Sequence, residues 1–311
     1  MGIVDFHADV ICKMLVHPGL SLLKPDDRLD VTVQRLKEGG VALQVFPLFL
    51  PDSVPADPES LFRGIELYDS GVLAHPDLMP ILRVSDLDAA RSSGRIGALL
   101  SLEGVDGLQG KLWALRLLHR MGLRLLGPTW NHANWACDGA MEPRGGGLTG
   151  AGRQLVRECE SLGILIDVSH LSERGFWDLA DLAARPFFAS HSNARAVTSH
   201  PRNLTDDQIR ALIAVDGLIG VTFVPWFLAN REPASIADIL RHVEHICSLG
   251  GAAHLAFGSD FDGIDRHPSG LAHPGQYPNL AEALSKRYPD AAVRGFLEGN
   301  AYRFLRKNLR N

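Results

Sequence analysis

The chain of 311 residues is poor in cysteine, with four in all, and Cys12, Cys137, Cys159 and Cys247 form no Cys-x-x-Cys pair. Widely spaced thiols of this kind point away from a disulfide scaffold and from a zinc-knuckle or thioredoxin-type motif. No run of basic residues occurs: Lys+Arg number 31 against 36 Asp+Glu, a net charge of −5, which argues against nucleic acid as a partner. No apolar stretch approaches the roughly 18 residues that a membrane-spanning helix needs. The opening "MGIVDFHADV" has no basic region, apolar stretch or small-residue cleavage site. No signal peptide is therefore expected, and the cytoplasm is the expected address. The first strand is followed by "FHADV", not by the glycine-rich turn of an open dinucleotide-binding sheet.

What the chain does have is a rhythm of short apolar runs. Ile3–His7, Val41–Leu50, Ile96–Leu102, Leu123–Thr129, Ile164–Ser169, Phe187–Ser190, Leu218–Val224 and Leu255–Ser259 read as strands buried on both faces. Helical patterns lie between them at Val31–Glu38, Pro58–Leu73, Gln109–Met121, Thr149–Leu162, Glu173–Ala184, Asp206–Ala214 and Ser235–Leu249. Ser172 is placed to cap one of these helices and Gly163 to close another. A closing helix is expected over Asp290–Leu309. Strands and helices in alternation predict an α/β fold, a distorted (β/α)8 TIM-like barrel of one domain over 1–311. The Gly/Pro-rich stretches 137–147 and 265–275 follow strand ends and read as loops at the barrel mouth. Trp113 and Trp177 are expected to pack as core residues on helix faces, while Trp226 lies just past a strand, where it could line a pocket.

The ends of the strands carry the chemistry. "IVDFHAD" places His7 and Asp9 two apart, so that both side chains leave an extended strand on the same side. Glu103, His170 and His191 each follow the runs of three other strands, and Asp260 follows the eighth. Imidazoles and carboxylates at the carboxyl ends of separate barrel strands converge on one mouth. Three histidines and two acids suit zinc or another borderline divalent ion better than calcium or magnesium. Five ligands exceed the needs of one tetrahedral catalytic ion, whereas two ions about 3.5–4 Å apart and bridged by a carboxylate fit the number. Lys13, Lys24, Lys37, Lys111, Lys286 and Lys307 all lie outside the strand runs, so no carbamylated lysine can bridge and Glu103 is the candidate.

With "SLEGVDGL", "LIDVSHLS", "ASHSNARAV" followed by "HPRNLTDDQI", and "GSDFDG" in this order, the chain resembles the membrane (renal) dipeptidase family of zinc dipeptidases over essentially its whole length. The resemblance implies that His7 and Asp9 hold one zinc, that His170 and His191 hold the other, and that Glu103 bridges the two Zn2+. It implies that Asp260 handles the proton of the attacking water and that Arg202 pairs with the terminal carboxylate of a small dipeptide. It also implies tolerance for a D-residue at the C-terminal position, and a homodimer follows from it alone. One position departs from the family: Trp130 stands where mammalian members carry a histidine. An indole offers only an N–H and cannot act as a general acid. Trp130 and His132 are therefore assigned to substrate binding, with Asn131 and Asn134 as further donors.

A binuclear zinc dipeptidase is the leading reading. A metal-dependent amidohydrolase acting on a non-peptide amide, lactam or N-acyl amino acid is the second. A non-catalytic metal- or ligand-binding barrel is the third, and Asp260 argues against it, since a structural site needs no proton shuttle. Asp262, further into the loop than Asp260, is assigned to capping or turn structure.

Overall fold

The computed structural model describes residues 2–311. One parallel sheet runs through the chain, built from β1 (Ile3–Asp5), β2 (Val41–Phe49), β3 (Leu78–Pro80), β4 (Ile96–Glu103), β5 (Leu123–Gly127), β6 (Leu165–Ile166), β7 (Phe188–Ala189), β8 (Leu218–Val221) and β9 (Leu255–Phe257). The order is β6-β5-β4-β2-β1-β9-β8-β7, with β3 added beside β4. The ends of this order meet: Asp167 bridges to Phe188, and the Val168 N–H donates to the Phe188 carbonyl at 2.7 Å. The sheet is thus an eight-stranded barrel, as the apolar rhythm predicts, with each expected strand in place and most of them shorter. The short β3 and the helix Val84–Ser93 that follows it were not expected. Neither were the helices Val10–Val16 and Tyr277–Ser285.

Alternation along the strands divides the core. Val4, Phe6, Val45, Leu99, Leu125 and Phe188 pack together inside the barrel, whereas Ile3, Phe46, Ala98 and Leu126 face the surrounding helices. The C-terminal helix Asn300–Asn308 plugs one end, with Phe304 stacked on Phe188 at 5.6 Å. The Asn300 side chain donates to the carbonyl of Leu255, at the start of β9, so the plug lies at the amino ends of the strands. The opposite end is left for the site.

Local chemistry sets the helix boundaries. Ser172 accepts from the Gly175 N–H at 2.9 Å, and Thr205 with Gln208 forms a reciprocal capping box. Gly163 ends the helix Gly150–Leu162 at φ 81°, a conformation costly for a residue with a Cβ. Trp113 and Trp177 do not join the core: they are 49% and 36% exposed. Their helices bury the alternative stripes Ala114/Leu115/Leu118 and Phe176/Leu179. Among the described residues no helix is long and apolar enough to cross a membrane.

Candidate active site

The site lies at the carboxyl ends of the strands. His7 follows β1, and Asp9 begins the helix Val10–Val16 without capping it through its side chain. Glu103 is the last residue of β4. His170 follows β6 with φ 72°, and Asp260 follows β9 with φ 68°. The Asp260 main-chain N–H donates to the His7 carbonyl at 3.0 Å, which stitches the two strand ends together. Below them, buried Asp5 accepts from the N–H groups of His7 and Ser259 and from the Ser259 hydroxyl, at 3.1, 2.9 and 2.7 Å.

The five residues expected to hold metal converge. His7 Nε2 lies 3.3 Å from Glu103 Oε2, 3.5 Å from Asp9 Oδ2 and 3.8 Å from Asp260 Oδ1. The other Glu103 oxygen, Oε1, lies 2.7 Å from His170 Nε2 and 3.7 Å from His191 Nε2. His170 Nε2 and His191 Nε2 are themselves 2.8 Å apart. Two sets of ligand atoms, His7/Glu103/His191 and His7/Asp9/Asp260, each fall within 4.8 Å of one another.

These residues fit a cation. His7 Nε2 and Asp9 Oδ1 are buried and have no hydrogen-bond partner, an expensive arrangement unless something positively charged completes it. His170 Nδ1 faces the Asn131 side-chain oxygen at 2.8 Å. That oxygen can only accept, so Nδ1 carries the proton and the Nε2 lone pair points inward. A lone pair so close to a carboxylate oxygen and a second imidazole nitrogen calls for a cation between them.

The electrostatics agree. Burial opposes a charge on His7, but the Glu103 and Asp9 carboxylates outweigh it and hold the imidazole well above its ordinary pKa. Burial, reinforced by Arg202, pushes His170 down to about 3. Burial also keeps His191 well below its ordinary value, with the His7 charge adding to it. Burial disfavours the Glu103 charge too, yet the imidazoles hold its carboxyl well below the usual range. Glu103 draws His170 toward the charged form while burial drives it neutral; burial prevails because the ring is enclosed, and His7 is the proton-bearing partner of Glu103. Asp260 is lifted above the usual carboxylate range by burial, with the Asp9 and Glu103 charges adding and His7 opposing.

A cavity of about 250 Å³ opens onto Asp9, Glu103, His170 and Asp260, with Trp130 and Trp226 among its walls. An outer cavity of about 560 Å³ shares Phe49 and Trp130 with it and is lined by Asp106 and His132. Trp130 packs on Phe49 at 5.0 Å and over His170 at 6.1 Å. His132 is exposed and borders the outer cavity alone, so it does not join the metal-type cluster. Arg202 is 3% exposed; its guanidinium lies 5.5 Å from the Phe227 ring centroid, and it donates to the His191 carbonyl at 3.2 Å. Burial lowers its pKa to about 10, against the raising effect of Glu103 and Asp260, which leaves it charged near neutrality. Asp262 is structural, as expected: it accepts from Lys13 and from the N–H groups of Asp30 and Val31 at 3.0, 2.7 and 3.0 Å. Asn131 serves as partner to a histidine, a role the sequence reading did not assign.

Imidazoles and carboxylates at the carboxyl mouth of a (β/α)8 barrel define a metal-dependent hydrolase. The family model for membrane dipeptidase (peptidase family M19) matches residues 1–311, and the chain belongs to that family of metallo-dipeptidases. It is 36% identical over 236 residues to Dipeptidase tcpJ of Claviceps purpurea, a match covering 73% of this chain and 53% of that protein. A metallopeptidase from Rhodobacter sphaeroides, crystallised with a phosphinate mimic of the dipeptide L-Ala-D-Ala, superposes with a TM-score of 0.91 at 30% identity, over 99% of both chains. The family M19 metallopeptidase dipeptidase AC superposes at 0.92, also at 30% identity, over 100% of this chain and 99% of that one.

Proposed function

We propose that the chain is a binuclear zinc dipeptidase, a single hydrolase domain that cleaves free dipeptides and accepts a D-residue at their C-terminal position. The observation that carries this reading is the division of labour at Glu103: Oε2 faces His7, beside Asp9, while Oε1 faces His170 and His191. One carboxylate aimed at two ligand groups suits two ions bridged by that carboxylate, with His7 and Asp9 on one side and His170 and His191 on the other. Zinc bound there supplies positive charge that polarises a scissile carbonyl and makes an attacking water more acidic.

The chain's own residues supply the rest. Asp260 sits at the edge of the cluster, more exposed than the ligands, where it can take the water's proton and deliver it to the leaving amine. Arg202 is a buried guanidinium with no carboxylate partner among the described residues, and its Nε is unpaired. A free α-carboxylate would answer that charge with charge-assisted hydrogen bonds. Trp130 and Trp226 wall the cavity and limit water around the bond being cut. Acceptance of a D-residue leans on the L-Ala-D-Ala mimic held by the R. sphaeroides relative.

Substrate ends provide the test. Free dipeptides of L-Xaa-D-Xaa and L-Xaa-L-Xaa type should be cleaved, and their C-terminal amides should be poorer by about 30–150-fold in kcat/KM, the value of about 2–3 kcal/mol for a lost charge-assisted pair. Arg202→Ala should shrink that discrimination toward unity. Equal cleavage of acids and amides by the unmodified enzyme would reject the carboxylate clamp and favour a non-peptide amide as substrate.

A further inference from the structure

The histidines on the Oε1 side of Glu103 are held by different means. His170 is oriented by Asn131, half-buried in the loop after β5. His191 is oriented from inside the barrel wall. The half-buried Asp167 accepts through Oδ1 from the main-chain N–H groups of Ser169 and Ser190, both at 2.9 Å. Its Oδ2 accepts from the Ser190 hydroxyl at 2.5 Å, and the same hydroxyl oxygen lies 2.6 Å from His191 Nδ1. Ser190 itself has nowhere to shift. A Cβ on Gly220 or Gly258 would come within 1.9 and 2.0 Å of its carbonyl oxygen, so neighbouring strands press directly on its backbone.

Counting protons gives this chain of contacts a direction. A serine hydroxyl has one hydrogen to donate. Asp167 Oδ2 takes it, so the hydroxyl presents only a lone pair to His191. The short contact at Nδ1 is then a hydrogen bond in which the imidazole donates. A neutral ring with its proton on Nδ1 has a bare Nε2, and Nε2 is the atom that faces Glu103 and His170.

We propose that Asp167 and Ser190 are positioning residues that fix His191 as its Nδ1–H tautomer and so present Nε2 to a metal ion. The inference rests on the metal-centre reading above, but it concerns a property of the metal-free protein and can be tested there. It differs from a simple seam between β6 and β7. The Ser190 N–H bond to Asp167 Oδ1 and the Val168–Phe188 bond already close that seam, and neither needs the Ser190 hydroxyl.

Two substitutions separate the readings. Ser190→Ala removes the hydroxyl and leaves the seam. Asp167→Asn keeps the shape and can keep both N–H bonds at its oxygen, while its amide must donate to Ser190. The serine proton is then turned toward His191 Nδ1, which reverses the tautomer. The measurement is long-range 1H–15N correlation in metal-free protein carrying 15N-histidine near neutral pH, with the His191 signals identified by their loss in His191→Asn. The intact protein should show His191 protonated at Nδ1, Ser190→Ala a mixture, and Asp167→Asn predominantly the Nε2–H form. Zinc affinity, read by chelator competition, should fall about 10- to 100-fold in Ser190→Ala, the usual cost of losing a ligand's outer hydrogen bond, and at least as far in Asp167→Asn. His191 protonated at Nε2 in the unsubstituted protein would overturn the proposal, even if both variants fail to fold. So would an unchanged tautomer and unchanged zinc affinity in a folded Ser190→Ala or Asp167→Asn. A stoichiometry other than two zinc ions, with the Nδ1–H tautomer intact, would count against the binuclear reading and leave the relay standing.

Discussion

The floor and the mouth of the site are built on different principles. On the floor, His7, Asp9, Glu103 and His191 follow or end barrel strands and are at most 8% exposed. Asp5 and Asp167 lock strand ends from beneath, each by accepting main-chain N–H groups from its own and a neighbouring strand. At the mouth, Trp130 and His132 stand on irregular chain and Trp226 on the short helix Pro225–Leu228, where it is 45% exposed. A barrel specifies its floor by strand register, which leaves the mouth free to vary. Substitutions should therefore lose effect steeply from the floor upward.

The largest loss is expected at Glu103, which both ligand groups share. Glu103→Ala should release both ions or leave one weak site, with activity lost. Elemental analysis giving one ion per chain in the wild type, unchanged in Glu103→Ala, would break the bridged arrangement. Asp260, at the rim of the floor, comes next. Asp260→Asn should keep its metal but lower kcat by about 10²–10⁴-fold, the range for a general acid–base group. Near-normal turnover would remove it from the chemistry.

A smaller effect distinguishes the two sides of the floor by pH. Without metal, His7 holds a proton because Glu103 and Asp9 favour it, so an entering cation must displace that proton. Below the raised pKa of His7, affinity on its side should strengthen by about tenfold for each pH unit, and level off above it. His170 and His191, kept neutral by burial, release none in that range. Calorimetry in buffers of different ionisation heat should count at least one proton released per chain at about pH 6, from His7, with a further one where Asp260, pushed up to about 8 by burial, gives up its own; binding with no pH dependence there would contradict the assignment. The sign for folding is opposite. A raised histidine pKa stabilises the metal-free fold below the unfolded value, and that contribution disappears as pH rises through the folded value.

The smallest effect belongs to the mouth. His132→Ala should change kcat/KM for small dipeptides by less than about 3-fold, within the range of surface substitutions, because the side chain borders only the outer cavity. A drop comparable with that of Asp260→Asn would show the mouth taking part in the chemistry and would erase the contrast.

The same contrast explains how much could be read from the sequence. The eight barrel strands and the residues ending them follow from apolar runs and ligand-type side chains, which act over a few positions. β3 escaped because Leu78–Pro80 is too short to show a pattern. The helix Val10–Val16 was hidden behind a run whose strand-like beginning does not reveal that Asp9 starts a helix. Trp113 and Trp177 misled because aromatic size suggested burial while smaller neighbours had already filled the inward face. Asp167 and Ser190 stand inside motifs that were read for their histidines. Their role depends on a contact between neighbouring strands, 23 residues apart in the chain.

The positive φ angles of His170, Asp260 and Asp262 bear on how this protein could be engineered. Each keeps a Cβ in a left-handed conformation that costs about 1–2 kcal/mol for an ordinary L-residue. Glycine or asparagine would occupy the same backbone more comfortably. A screen for heat-resistant variants, scored only on survival of the fold, would therefore drift toward such replacements at 170 and 260. It would return sturdier barrels that had shed a proposed metal ligand or a proposed base. Selection for catalysis has to act on these positions continuously, because selection for stability alone would erode them.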